Sequence, residues 1–181
     1  MSILDLWLPI LVSAGVCWIA SALIWTVLPW HKNDYAKTPD EEGVRAALKG
    51  AEPGFYNIPH CPDPKTLQTP EMQQKFKDGP LAFVSVLPNG LPPMGRNMGL
   101  MVVFFLFVGG MCAYFVTRTT GADADYLEVF RIAGTVAFIC NSVALIPESI
   151  WFGRPLAATG KSFLDAFIYG LATGGVFGWL V

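Results

Sequence analysis

The chain has 181 residues, of which 53% are hydrophobic and only 14% charged, with a net charge of −2. A soluble domain of this size carries about a quarter charged residues, so the balance points away from an ordinary water-soluble fold, and the lack of any basic tract excludes nucleic acid as a partner. The four cysteines form no disulfide framework: Cys17, Cys112 and Cys140 lie in apolar runs, and only Cys61 lies outside them.

Apolar residues come in blocks. A helix needs about 20 of them to cross roughly 30 Å of hydrocarbon, and the first block, about 5–29, is long enough. It is too long for the core of a cleavable signal and has no Lys or Arg before Lys32. An insert over 31–96 follows and holds Lys32, Lys37, Arg45, Lys49, Lys65, Lys75, Lys77 and Arg96. Within it, Thr38-Pro39-Asp40-Glu41-Glu42 predicts a capped helix running to about Lys49, with Gly50 as its stop. Thr69-Pro70-Glu71 predicts a second helix, ended by Gly79-Pro80. Gly54–Pro59 and Leu81–Leu87 read as two paired strands, and Asn89-Gly90 and Pro92-Pro93 as turns. An α+β lobe of this size has a thin core and leans on the membrane helices or on a partner.

Three further spans follow in 97–181, at about 98–117, 127–150 and 162–181. The third is the least clean. Glu128 and Arg131 at its start are three apart and can pair, and Pro147 can kink the helix or end its spanning part. Lys161 reads as an anchor at the membrane face, with Thr159 or Ser162 capping the fourth span. The expected fold is an all-α membrane protein with four transmembrane helices and a small α+β cytoplasmic insert between the first two. Basic residues concentrate in the insert and in the 151–161 connection, which carries Arg154 and Lys161. That distribution places both termini outside and the insert in the cytoplasm of a bacterial inner membrane.

The most chemical-looking group is His31, His60, Cys61 and Asp63, whose side chains suit zinc or copper. Adjacent residues on a strand point in different directions, however, and no C-x-x-C or H-x-x-x-H spacing supports them. The default expectation is therefore no cofactor, with a transition metal as the alternative. Thr159-Gly160-Lys161-Ser162 resembles the end of a phosphate-binding loop, but Pro155 stands where the first Gly belongs and membrane spans lie on both sides, so no nucleotide partner is expected. Ala166, Gly170, Gly174 and Gly178 form a stripe of small residues on the fourth span, and Ser13, Cys17 and Ser21 repeat that spacing on the first. These faces either pack the chain's own helices together or receive another membrane subunit. Asn141 near mid-depth can hydrogen-bond a neighbouring helix. No span carries His, no run of ionisable groups crosses the bilayer, and no catalytic motif is present. An inner-face lipid-acting enzyme built on Asp34, Glu148 and Arg154 is the least supported reading.

Several local strings carry a resemblance: His31 through Tyr35, Pro39-Asp40-Glu41-Glu42, Pro59-His60-Cys61, Lys77-Asp78-Gly79-Pro80, Pro88-Asn89-Gly90, Asn97-Met98-Gly99 and Ile146–Pro155, which contains Trp151-Phe152-Gly153-Arg154-Pro155. Over its whole length the chain resembles an uncharacterised family of four-span bacterial inner-membrane proteins. The resemblance implies a bacterial origin and a shared architecture, and it brings no activity. With no catalytic or transport chemistry in view, the expectation is a non-enzymatic accessory subunit whose partners are the lipid bilayer and other membrane subunits.

Overall fold

A computed structural model describes residues 2–121 and 123–181. It divides into two compact units, Met1–Tyr35 with Pro93–Val181, and Ala36–Pro92.

The first unit is a four-helix bundle. A 3-10 turn, Ile3–Leu6, is closed by a capping box in which Ser2 and Asp5 bond each other's backbone, and it leads into α1, Trp7–Thr26. The chain later returns through α5, Met94–Thr119, and α6, Tyr126–Ser142, then a short α7, Leu145–Trp151, and α8, Leu156–Leu180. The helices neighbour one another in the ring α1–α5–α6–α8, with α6 against α8 the largest contact. All four neighbouring pairs are antiparallel. One core gathers Leu6, Val108, Cys112, Val116, Val129, Ala133 and Phe177. A second, toward the other end, gathers Ala14, Cys17, Ile24, Phe105 and Tyr169.

Four helices are long and apolar enough to cross a membrane: Ile3–Thr26, Met94–Thr119, Tyr126–Trp151 and Leu156–Leu180. Only 22–39% of each is buried within the protein, so most of their apolar surface faces outward, as lipid allows and water does not. The fourth span begins at Leu156, six residues earlier than the sequence predicts. Thr159 and Ser162 consequently lie inside the helix and do not cap it: Thr159 Oγ1 pairs with Ser149 Oγ at 2.6 Å, and Ser162 Oγ donates to the Ala158 carbonyl.

The third span is interrupted, and Pro147 explains where. Proline has no N–H, and its ring excludes the carbonyl four residues back, which here belongs to Val143. The helix stops at Ser142 and resumes at Leu145, with Ile146 N–H bonding the Val143 carbonyl in a tighter turn. Before the break, Asn141 Nδ2 donates to the Ala137 carbonyl at 2.7 Å and Ser142 Oγ to the Phe138 carbonyl at 2.6 Å. Asn141 is thus bonded to its own helix rather than to a neighbour. Among the described residues Glu128 and Arg131 form no ion pair; the start of α6 is capped by Asp125, which accepts from Glu128 N–H.

The second unit carries α2, Glu41–Ala47; β1, Gly54–Ile58; α3, Pro64–Leu67; α4, Pro70–Asp78; and β2, Ala82–Val86. The strands pair antiparallel, Gly54 opposite Val86 and Ile58 opposite Ala82. Thr69 caps α4 through Met72 N–H, and Gly79 ends it with a φ of 61°. The first helix starts later than the sequence predicts, because Asp40 rather than Thr38 accepts its capping bond, from Gly43 N–H.

Candidate functional site

The ionisable groups that the bundle draws together centre on His31. The chain turns at Pro29–His31 just after α1, which aims the imidazole back at α8. His31 Nδ1 lies 2.6 Å from Asp34 Oδ2, and Nε2 lies 2.9 Å from Asp165 Oδ2. The His31, Asp34 and Asp165 side chains are only 4, 7 and 6% exposed. Lys161 Nζ donates to Asp34 Oδ1 at 2.5 Å. The Trp25 ring stacks on the imidazole at 4.0 Å and 4°, and the Trp30 ring meets it edge-on.

His31 bridges the two carboxylates, one on each ring nitrogen, and Lys161 sets a cation beside Asp34. The Lys161 and His31 hydrogen bonds, in that order, hold the Asp34 carboxyl below its ordinary range. The aromatic walls keep water away and raise the worth of each contact. Trp30 lies against the Asp165 carboxylate, yet Trp30 Nε1 and Asp165 Oδ1 are both buried without a hydrogen bond of normal geometry. Asp165 therefore depends on His31 alone for charge compensation.

Asp165 is the tenth residue of α8, about 13–14 Å along the helix axis from its start. The cluster does carry a signal in the sequence. Lys161, Asp165, Tyr169 and Thr173 recur every fourth residue, one position behind the small-residue stripe, so they form a second face of α8. That face meets α1: Asp165 takes His31, Ser21 faces Tyr169, and Cys17 Sγ lies 3.3 Å from Thr173 Oγ1 and 3.7 Å from the Tyr169 carbonyl. Ser13 is buried and bonds its own helix at Ile10.

The small-residue stripe faces α6 instead. A Cβ added at Gly170 would fall 2.9 Å from the Gly134 carbonyl oxygen; at Gly174, 2.7 Å from that of Phe130; at Gly178, 2.8 Å from that of Tyr126. Ala166 is fully buried. The stripe is thus filled by the chain's own α6, and Cys17 and Ser21 meet a different face of α8 from the one that carries the glycines.

The residues considered as metal ligands are locally engaged. Asp63 is the N-cap of α3: Oδ1 accepts Lys65 and Thr66 N–H at 2.8 Å each, and Oδ2 accepts the Thr66 hydroxyl. The Thr66 backbone bond is the largest of the effects that lower its pKa. Its place before Pro64 and Thr66 is a capping signature that the ligand reading passed over. Cys61 Sγ donates to the Asp63 carbonyl, and His60 Nδ1 pairs with Asn57 Oδ1. Both ring nitrogens of His31 are taken by carboxylates. Among the described residues no group of three or more His, Cys, Asp or Glu side chains could hold a metal ion. The three residues Asp34, Glu148 and Arg154 do not form one side-chain cluster among the described residues: Asp34 belongs to the His31 cluster, while Arg154 donates its backbone N–H to the Glu148 carbonyl at 3.3 Å and its Nη2 to Ser162 Oγ. Compared with known protein families, curated proteins and solved structures, the chain matches none.

Proposed function

We propose that this chain is a non-enzymatic accessory subunit of a bacterial inner-membrane assembly, anchored by its helix bundle and making its specific contact through the insert. The observation that carries this reading is the missing core of the insert. Across Ala36–Pro92, Met72 is the only buried residue among those described, while Phe55 and Leu91 are 94 and 96% exposed and Leu87 is largely exposed. A lobe of this size gains little from burying itself, and exposed apolar residues at this density mark a contact surface. The small-residue faces of the bundle are already filled within the chain, which shifts the contact surface from the membrane helices to the lobe. The Lys and Arg distribution supports termini outside and the insert in the cytoplasm.

The His31 cluster fits this reading as a fastening. It ties the segment after α1, where the chain departs for the insert, to the third turn of α8. Each of its carboxylates is bonded to a basic group, and the described ionisable groups form no path across the bundle that would serve transport.

Purification of the tagged chain in mild detergent, followed by native mass spectrometry, tests the proposal. A stoichiometric partner is expected, and Phe55→Ser with Leu87→Ser should release it while leaving the bundle folded. A lone chain with no co-purifying protein overturns it.

A further inference from the structure

We propose that the groove between α6 and α8 is a phospholipid site, with an acyl chain along the groove and the lipid phosphate on Arg131. The groove is open to the outside and offers about 390 Å³. Its floor is backbone: Gly134 and Gly170 approach so closely that a Cβ on Gly134 would lie 3.0 Å from the Gly170 carbonyl oxygen. Phe130, Phe138, Phe167 and Leu171 stand up on either side as apolar walls. Arg131 lines the same groove.

Charge selects the occupant. Arg131 is exposed on the outward face of a candidate span, and among the described residues no ion pair or hydrogen bond engages it, Glu128 included. A guanidinium in that position needs an anion, and its planar fork matches a phosphate with two parallel N–H bonds. Depth agrees. Arg131 is the sixth residue of α6, about 7–8 Å from the helix start, and the groove continues about 10 Å further along the axis to Phe138. The cation therefore stands at headgroup depth with the apolar walls below it, the order in which a phospholipid presents phosphate and chain. Thr135 adds a hydroxyl just beneath the cation. A partner helix would fill the walls but would have to bring its own carboxylate to this depth to answer Arg131, and a second copy on a two-fold axis would set two Arg131 side chains at one interface.

The test uses the delipidated full chain in detergent. Native mass spectrometry follows titration with palmitoyl-oleoyl phosphatidylglycerol and, separately, with dioleoylglycerol, which has the chains and no phosphate. Two variants complete it: Arg131→Gln, and Thr135→Phe, which fills the groove from an exposed position without entering the Gly134–Gly170 contact. One phosphatidylglycerol per chain is expected, bound at least tenfold more tightly than dioleoylglycerol. Arg131→Gln should abolish that preference, and Thr135→Phe should weaken both lipids. Equal affinity for the two lipids, or unchanged phosphatidylglycerol binding in Arg131→Gln, overturns the phosphate assignment. Unchanged binding in Thr135→Phe overturns the groove, and a lipid-free dimer as the main species overturns the whole proposal.

Discussion

Replacing His31 with alanine removes the group through which Asp165 is compensated, and the consequence can be worked from the contacts. Asp165 Oδ1 already lacks a partner, and Oδ2 bonds His31 at 2.9 Å. The substitution leaves a buried carboxylate with neither oxygen satisfied. Breaking one side of a buried charged pair costs about 3–5 kcal/mol. For a chain of this length each kcal/mol moves the melting temperature by about 2–4 °C, so His31→Ala should lower it by roughly 6–20 °C. A thiol-reactive dye reads the transition as the buried Cys17 and Cys112 become exposed, provided Cys61 and the partly exposed Cys140 are first replaced by serine. The identity of the rescuing variant is the sharper test. Adding Asp165→Ala removes the stranded charge and should restore most of the loss. Adding Asp34→Asn should restore less, because Lys161 continues to answer Asp34 in the single variant. A melting temperature within about 2 °C of the parent, or a better rescue by Asp34→Asn than by Asp165→Ala, would refute the reasoning.

Acid should expose the same cluster through Asp34. Its folded pKa lies below the unfolded value of 3.8, so the stability it contributes is complete above that value and is lost as pH falls through the folded one. Melting temperatures measured against pH should decline below about pH 4, and the decline should be shallower in Asp34→Asn. The glycines of α8 and α5 should divide by what faces them. Gly174→Ala places a Cβ 2.7 Å from the Phe130 carbonyl oxygen and should destabilise by about 1–3 kcal/mol; Gly110→Ala meets nothing within 4 Å and should be neutral or stabilising by up to about 1 kcal/mol. Asp63→Ala should accelerate amide exchange at Lys65 and Thr66, the two N–H groups it caps. Cys61 is the sole cysteine outside the spans, so a membrane-impermeant maleimide should label it in inside-out vesicles and not in intact spheroplasts; the opposite pattern would reverse the proposed orientation.

What could be read from the residues differs by the range of the interaction involved. Hydropathy is summed over a window, so four spans are legible, and the two insert strands show in their β-branched and aromatic runs. Boundaries depend on single hydrogen bonds. Asp40 competes successfully with Thr38 for the first cap of the insert, and the start of α8 moves to Leu156 because Pro155, which cannot continue a helix backwards, begins it without any side-chain cap. Asp63 shows how one residue type serves two readings: beside His60 and Cys61 it looks like a ligand, while Pro64 and Thr66 after it make it a cap. The His31 cluster joins residues 134 positions apart, and no local rule selects that pairing. It follows from ring order. Gly170, Gly174 and Gly178 admit α6 to backbone contact, which occupies that face of α8 and leaves the adjacent one to α1. On that adjacent face stand Lys161, Asp165, Tyr169 and Thr173, and the polar residues of α1 and its following turn meet them in antiparallel order, from Cys17 opposite Thr173 to His31 opposite Asp165. The glycine stripe thus acts on the buried charges indirectly: by fixing which helix takes the close-packed face, it decides which helix must carry the histidine. A bulky residue at Gly174 should therefore disturb not only the α6 contact but also the His31–Asp165 bond. The imidazole resonances of His31 would report that coupling, and their insensitivity to Gly174→Leu in a chain that remains folded would show that the two faces of α8 are set independently.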